Sequence, residues 1–146
     1  MAMGIAHYVE LAPLLVAKFG KGAQFQANKA AALQFIRESY ATQLRDATGP
    51  VAFESTGVSD RALIDALLAQ HILLLVHVAT PKSICIARVA SRPDHLNIGN
   101  DVVAAARFYD FWYEEVAPSY RFAATVDGVD VESASRSIAA LLQGVA

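Results

Sequence analysis

Residues 50–61, PVAFESTGVSDR, gather the side chains best suited to chemistry. Glu54 follows the apolar run Val51-Ala52-Phe53. At the end of a strand, such a carboxylate would hold substrate hydroxyls, act as a base, or orient a metal-bound water. Ser55 and Thr56 add hydroxyls, and Gly57 exposes backbone N–H. Arg61 offers a planar cation for a substrate anion. The same residues also read as an ordinary strand-to-helix turn, with Asp60 well placed for the helix dipole.

A second group lies further on. Arg88 and Arg92 are four residues apart, hence on one helix face. Paired guanidinium groups clamp phosphates, although positive charge at a helix end is favourable without any ligand. Asp94, His95 and Asn97 follow in a polar loop that is solvated or contacts a ligand. His77 sits in an apolar run and reads as a satisfied core histidine more readily than as a catalyst. Cys85 reads as core. The four histidines and Cys85 show no metal-ligand spacing. No G-x-S-x-G elbow supports a hydrolase triad. Phe108, Tyr109, Phe111, Trp112 and Tyr113 crowd one segment; plain core packing explains most of it, and a base-stacking platform or a dimer contact is the alternative for the second face.

These residues must be positioned by an alternating series of elements. His7–Leu11 reads as a short strand and Pro13–Phe19 as a helical turn or two, closed by Gly20-Lys21-Gly22. From Phe25 to Leu44, Leu33, Ile36, Tyr40 and Leu44 recur at helical spacing, and Gly49-Pro50 ends the segment. Val51–Glu54 is a strand. Ser59 caps a helix from Asp60 to Gln70 with Leu63 and Leu67 inward. Ile72–Val78, ILLLVHV, predicts a strand buried on both faces, the habit of parallel sheets. Thr80 as N-cap and Pro81 at the first position start a helix that runs to Arg92. After the loop 93–100, Asp101–Val116 is a helix stopped by Pro118. Phe122–Val126 is a strand, Asp127-Gly128 a turn, and Asp130 caps a last helix to Gln143. This order predicts one α/β domain over 1–146, a three-layer parallel sheet with flanking helices. Ligands bind such sheets at the strands' carboxyl ends, here Glu54-Ser55-Thr56, 77–80 and Asp127-Gly128.

The 146 residues allow one core, and 55% apolar against 18% charged content argues for a buried interior. A net charge of −2 disfavours nucleic acid and anionic membranes as partners. A single cysteine excludes an internal disulfide and fits a reducing, cytoplasmic setting. The opening residues lack the pattern of a signal peptide or a spanning helix.

In order along the chain, the segments resemble a P-loop small-molecule kinase of the shikimate, gluconate and nucleotide kinase kind that lacks its beginning. MGIAHYVELAPLLVAKFG resembles the family's second strand and sequel, and VAFESTG its third strand. ILLLVHVATPKSICIARVASR resembles its fourth strand, helix and arginine-bearing lid, and AATVDGVDVESASRSIAALL its last strand and closing helix. The resemblance implies an ATP- and Mg²⁺-dependent phosphotransferase acting on a small molecule. Glu54, Arg88 and Arg92 would be catalytic, and Glu10, Ser55, Thr56 and Arg61 would bind substrate. It also implies a strand missing from mid-sheet, between those of Val51 and Leu75. The pattern G-x-x-x-x-G-K-[ST] is absent: at Gly20-Lys21-Gly22 the hydroxyl residue is replaced by Gly22, and Leu15 stands where the earlier glycine belongs. Either the chain is the incomplete form of such a kinase, or it is a loop-less binding or regulatory domain, one that as a homo-oligomer would cover its open sheet edges.

Overall fold

The structure, a computed structural model, describes residues 7–9, 12–58, 60–93 and 101–144, with side chains from residue 14 onward. The fold is mixed α/β and mostly helical, and it divides into two compact units, one built on residues 5–69 and the other on residues 70–92 and 100–146. Glu10, Ser59, Asp94, His95 and Asn97 lie outside the described residues.

The first unit runs β1 (His7–Val9), α1 (Ala12–Phe19), α2 (Gly22–Ala27), α3 (Lys29–Asp46), β2 (Val51–Phe53), α4 (Arg61–Gln70). β1 and β2 pair in parallel, His7 with Val51 and Val9 with Phe53. Parallel strands need a long crossover, and α1–α3 supply it. Gly20 closes α1 at φ +76°, the left-handed conformation open to glycine without steric cost, and its N–H returns to Val16 O at 2.9 Å. The helix expected as continuous from Phe25 is broken at Asn28, whose backbone leaves helical geometry (φ −105°, ψ 13°). Its side chain donates to Gln24 O at 2.9 Å, the competition with helix that asparagine favours. Leu15, Phe19, Ala32, Tyr40, Ile64 and Leu67 form the buried core of this unit. Tyr40 (4% exposed) stacks on Phe53 of β2 with ring centroids 4.0 Å apart, so α3 is fixed to the strand that carries Glu54.

The second unit runs β3 (Val76–Ala79), α5 (Lys82–Ala90), α6 (Val102–Phe111), a π-helical turn at Trp112–Val116, a 3₁₀ turn at Ala117–Ser119, β4 (Ala124–Asp127) and α7 (Val131–Gln143). β3 and β4 are parallel, with Val76, His77, Val78 and Ala79 opposite Ala124, Thr125, Val126 and Asp127. Asp130 caps α7 as its sequence suggests, accepting from Glu132 N at 3.1 Å. Asp101 caps α6 by accepting from Val103 N and Ala104 N, each at 3.0 Å.

Several expectations are corrected here. Among the described residues the strands form two separate parallel pairs and not a single four-stranded sheet. The strand expected over Ile72–Val78 begins at Val76, because the ladder with β4 starts there; Ile72 is 85% exposed. Nor is that strand buried on both faces, since Val78 is 51% exposed. Thr80 is not the cap of α5: Pro81 occupies that position, with no side-chain cap bond. Helix α5 stops at Ala90, short of Arg92; Ser91 Oγ turns back to Arg88 O at 3.1 Å, and Pro93 disfavours helical geometry at the residue before it. The Asp101–Val116 helix changes pitch at Trp112, where five residues take the π form.

Tyr40 supplies the link between α3 and β2, so its truncation tests the first unit's core. Tyr40→Ala is expected to cost about 3 kcal/mol, and Tyr40→Phe, which keeps the ring, about 1 kcal/mol or less, read from urea unfolding midpoints.

Candidate functional site

Glu54 stands directly after β2. Its carbonyl oxygen accepts from Tyr40 Oη at 3.4 Å, so backbone as well as ring packing holds the strand end. Ser55 Oγ donates to Asp60 Oδ2 at 2.6 Å and accepts from Gly57 N at 2.8 Å. Gly57 makes this compact turn possible with φ +72°. Ser55 is thus committed to the turn. Arg61 Nε lies 3.1 and 3.2 Å from the two oxygens of Asp65, an exposed pair one helical turn apart. Thr56 is exposed beside the turn. Glu54, Ser55, Thr56 and Arg61 are therefore gathered at one strand-to-helix junction, with Ser55 and Arg61 engaged in holding that junction together.

Arg88 and Arg92 belong to the other unit. Arg88 crosses from α5 to the loop after β4, donating from Nη1 to Gly128 O at 2.9 Å and from Nη2 to Val129 O at 3.0 Å. A fork of donors suits two adjacent carbonyls as well as it suits a phosphate. Arg92 follows the end of α5, and its Nη1 is buried without a hydrogen-bond partner among the described residues. The two arginines do not share a helix face.

The carboxyl ends of β3 and β4 form an open cleft of about 490 Å³. Ala79, Thr125 and Asp127 contribute from the strands, Thr80 from the loop, and Tyr109 and Tyr113 from the α6 segment. Gly128 sits so near β3 that a Cβ there would collide with the Thr80 hydroxyl and Val78; its N–H donates to Ala79 O at 2.7 Å. Tyr109 Oη donates to Thr80 O at 3.0 Å and fixes the opposite wall. The strand ends around this cleft were legible in the sequence, but the tyrosines were not assigned to it. Their spacing of four residues was the available signal.

His77 lies on the same strand face as this cleft's floor, stacked near Trp112 (4.9 Å), Tyr113 (5.5 Å) and Phe122 (5.3 Å). Its Nε2 and Tyr113 Oη share a hydrogen bond of 3.1 Å. Burial lowers the His77 pKa below 6.5. Burial, and then the neighbouring Tyr109 hydroxyl, push Tyr113 up to about 12. Both groups are neutral near pH 7; His77 is half-buried, not a core residue, and its ring nitrogen is satisfied by Tyr113.

Gly20-Lys21-Gly22 has no hydroxyl at its third position, and the helix it opens has only six residues. No group of three or more His, Cys, Asp or Glu residues able to hold a metal occurs among the described residues. No helix among them is long and apolar enough to cross a membrane. No family model, curated protein or solved structure matches this chain.

Two outcomes follow from these contacts. Arg88→Ala leaves the Gly128 and Val129 carbonyls to solvent and is expected to lower stability by about 1–2 kcal/mol in chemical denaturation. In pH, unfolded His77 takes up a proton from 6.5 downward while the folded residue resists it, so stability falls as pH drops below 6.5. Unfolded Tyr113 releases its proton from about 10 while the folded residue holds it to about 12, so stability falls again above 10. Unfolding midpoints measured across pH read both limbs; His77→Asn should flatten the acid limb selectively.

Proposed function

We propose that this chain is the substrate-side portion of a P-loop-kinase-like small-molecule phosphotransferase, and that in this form it transfers no phosphoryl group. The observation that carries the reading is the strand pairing. The resemblance places a missing strand between those of Val51 and Leu75. In accord with that, among the described residues β2 pairs in parallel with β1 in one unit and β3 pairs in parallel with β4 in the other. Support for a ligand role comes from the polar strand ends: Glu54 and Thr56 after β2, and Thr80 and Asp127 at the cleft, all at carboxyl ends where open parallel sheets bind ligands. In this reading Glu54 takes a substrate hydroxyl, Arg92 supplies positive charge, and Arg88 positions the loop after β4. The sequence lacks the G-x-x-x-x-G-K-[ST] pattern, which supports the expectation that the chain does not bind nucleotide.

Calorimetric titration with ATP and Mg²⁺ is expected to give no saturable heat; saturable binding would overturn the statement that the chain has no nucleotide site. A chimera carrying a strand–GxxxxGK[ST]–helix segment ahead of residue 1 should gain saturable ATP binding. A folded chimera that stays silent would remove the kinase reading.

A binding or regulatory role as a homodimer is the second reading. It is favoured by large apolar side chains left in solvent, among them Ile72 (85%), Val131 (71%) and Val103 (58%). Light scattering behind size exclusion should then report twice the chain mass, and a monomer at all concentrations would exclude it.

A further inference from the structure

The cleft at the ends of β3 and β4 carries an inference that is independent of the phosphotransferase reading. Residues 125 and 127 project to the same strand face by the two-residue period of β structure, and the register sets Ala79 opposite Asp127. The floor is thus a small side chain beside a carboxylate. Asp127 Oδ1 accepts from Val129 N at 2.8 Å, which fixes the carboxylate. Its Oδ2 has no partner among the described residues. The wall is aromatic: Tyr109 and Tyr113 lie with ring centroids 4.6 Å apart. Burial raises the Tyr113 pKa to about 12, and the Tyr109 hydroxyl donates to Thr80 O at 3.0 Å.

The charges around the cleft decide what it accepts. No lysine, arginine or histidine lines it among the described residues. The neighbouring cations are committed elsewhere: Lys82 is paired with Asp110 at 2.7 Å, and Arg88 is bound to the Gly128 and Val129 carbonyls. Against this stands the N-terminus of α5 at Pro81, whose free N–H groups favour an anion. The exposed Asp127 carboxylate at the cleft outweighs the partial charge of one helix end, about half an elementary charge. Two tyrosine rings line the cleft, and an aromatic face favours a cation where it disfavours an anion.

We propose that this cleft binds a small organic ammonium ion, its charged nitrogen on Asp127 and its apolar body against the rings of Tyr109 and Tyr113. A cation over a tyrosine face and a charge-assisted hydrogen bond to a fixed carboxylate reinforce each other. The hydroxyls of Thr80 and Thr125 stand ready for further donors on the ligand.

The test uses the full chain and three matched probes in calorimetry: benzylammonium, benzyl alcohol and benzoate. Saturable binding is expected for benzylammonium, weaker binding by about tenfold for the alcohol, and none for benzoate. Asp127→Asn keeps an oxygen for Val129 N and removes the charge; it should weaken benzylammonium about tenfold and leave the alcohol unchanged. Tyr113→Leu should weaken benzylammonium about threefold. The proposal is overturned if benzoate binds as tightly as benzylammonium, if Asp127→Asn leaves benzylammonium affinity intact, or if benzylammonium shows no saturation. Circular dichroism checks that the variants fold, and the comparison of the three probes on the unaltered chain decides the question without them. Silence toward ATP has no bearing on any of these outcomes.

Discussion

A parallel strand is stable when both edges are hydrogen-bonded and both faces are covered, and among the described residues each strand here is paired along one edge alone. Much of the rest depends on that shortfall. The crossovers that parallel pairing requires are present, and they make the molecule mostly helix. The cover is uneven. Among the described residues, Leu15, Phe19, Ala32, Tyr40, Ile64 and Leu67 are buried in the β1–β2 unit, while Val116 and Val126 are buried in the β3–β4 unit. That second unit compensates with aromatic packing, His77 among Trp112, Tyr113 and Phe122, and with polar ties from Arg88 and Tyr109. It also leaves Val78 half in solvent within a strand whose composition asks for burial.

The same ties shape the cleft. Gly128 approaches β3 more closely than any side chain would allow, Tyr109 is anchored to the Thr80 carbonyl, and Arg88 holds the following loop. Each contact joins an element to one distant in sequence. Together they turn the ends of two short strands into a concave surface with a fixed carboxylate. The arginine that resembles a lid residue is, in this fold, a strut. Its guanidinium geometry is the reason both roles suit it: two parallel donors meet two carbonyls as readily as two phosphate oxygens.

Element types were largely legible because they depend on local physics. Helical spacing from Leu33 to Leu44, the cap Asp130 and the glycine stops are short-range effects, and they lie where the residues indicate. Boundaries moved where a distant partner decides. ILLLVHV has strand composition throughout, yet only the part with β4 alongside becomes a strand. The break at Asn28 and the π turn at Trp112 were not visible, since both exchange regular helical bonds for alternatives of similar energy. At the site, Glu54 could be placed at a strand end from sequence. The commitments of Ser55 to Asp60 and of Arg61 to Asp65 could not, because each side chain had an equally reasonable ligand to bind.

By itself, the sequence determined the alternation of strands and helices, the carboxyl ends where polar residues collect, and the lack of a phosphate-binding loop. Those properties follow from composition, periodicity and motif, which act over a few residues. Tertiary structure alone decided which strands pair, how Arg88 is occupied, and that Asp127 lines one cleft with two tyrosines from a segment more than a dozen residues earlier. Such contacts depend on register and on close approach across the fold, as at Gly128, and no local pattern encodes a distance between residues far apart in the chain.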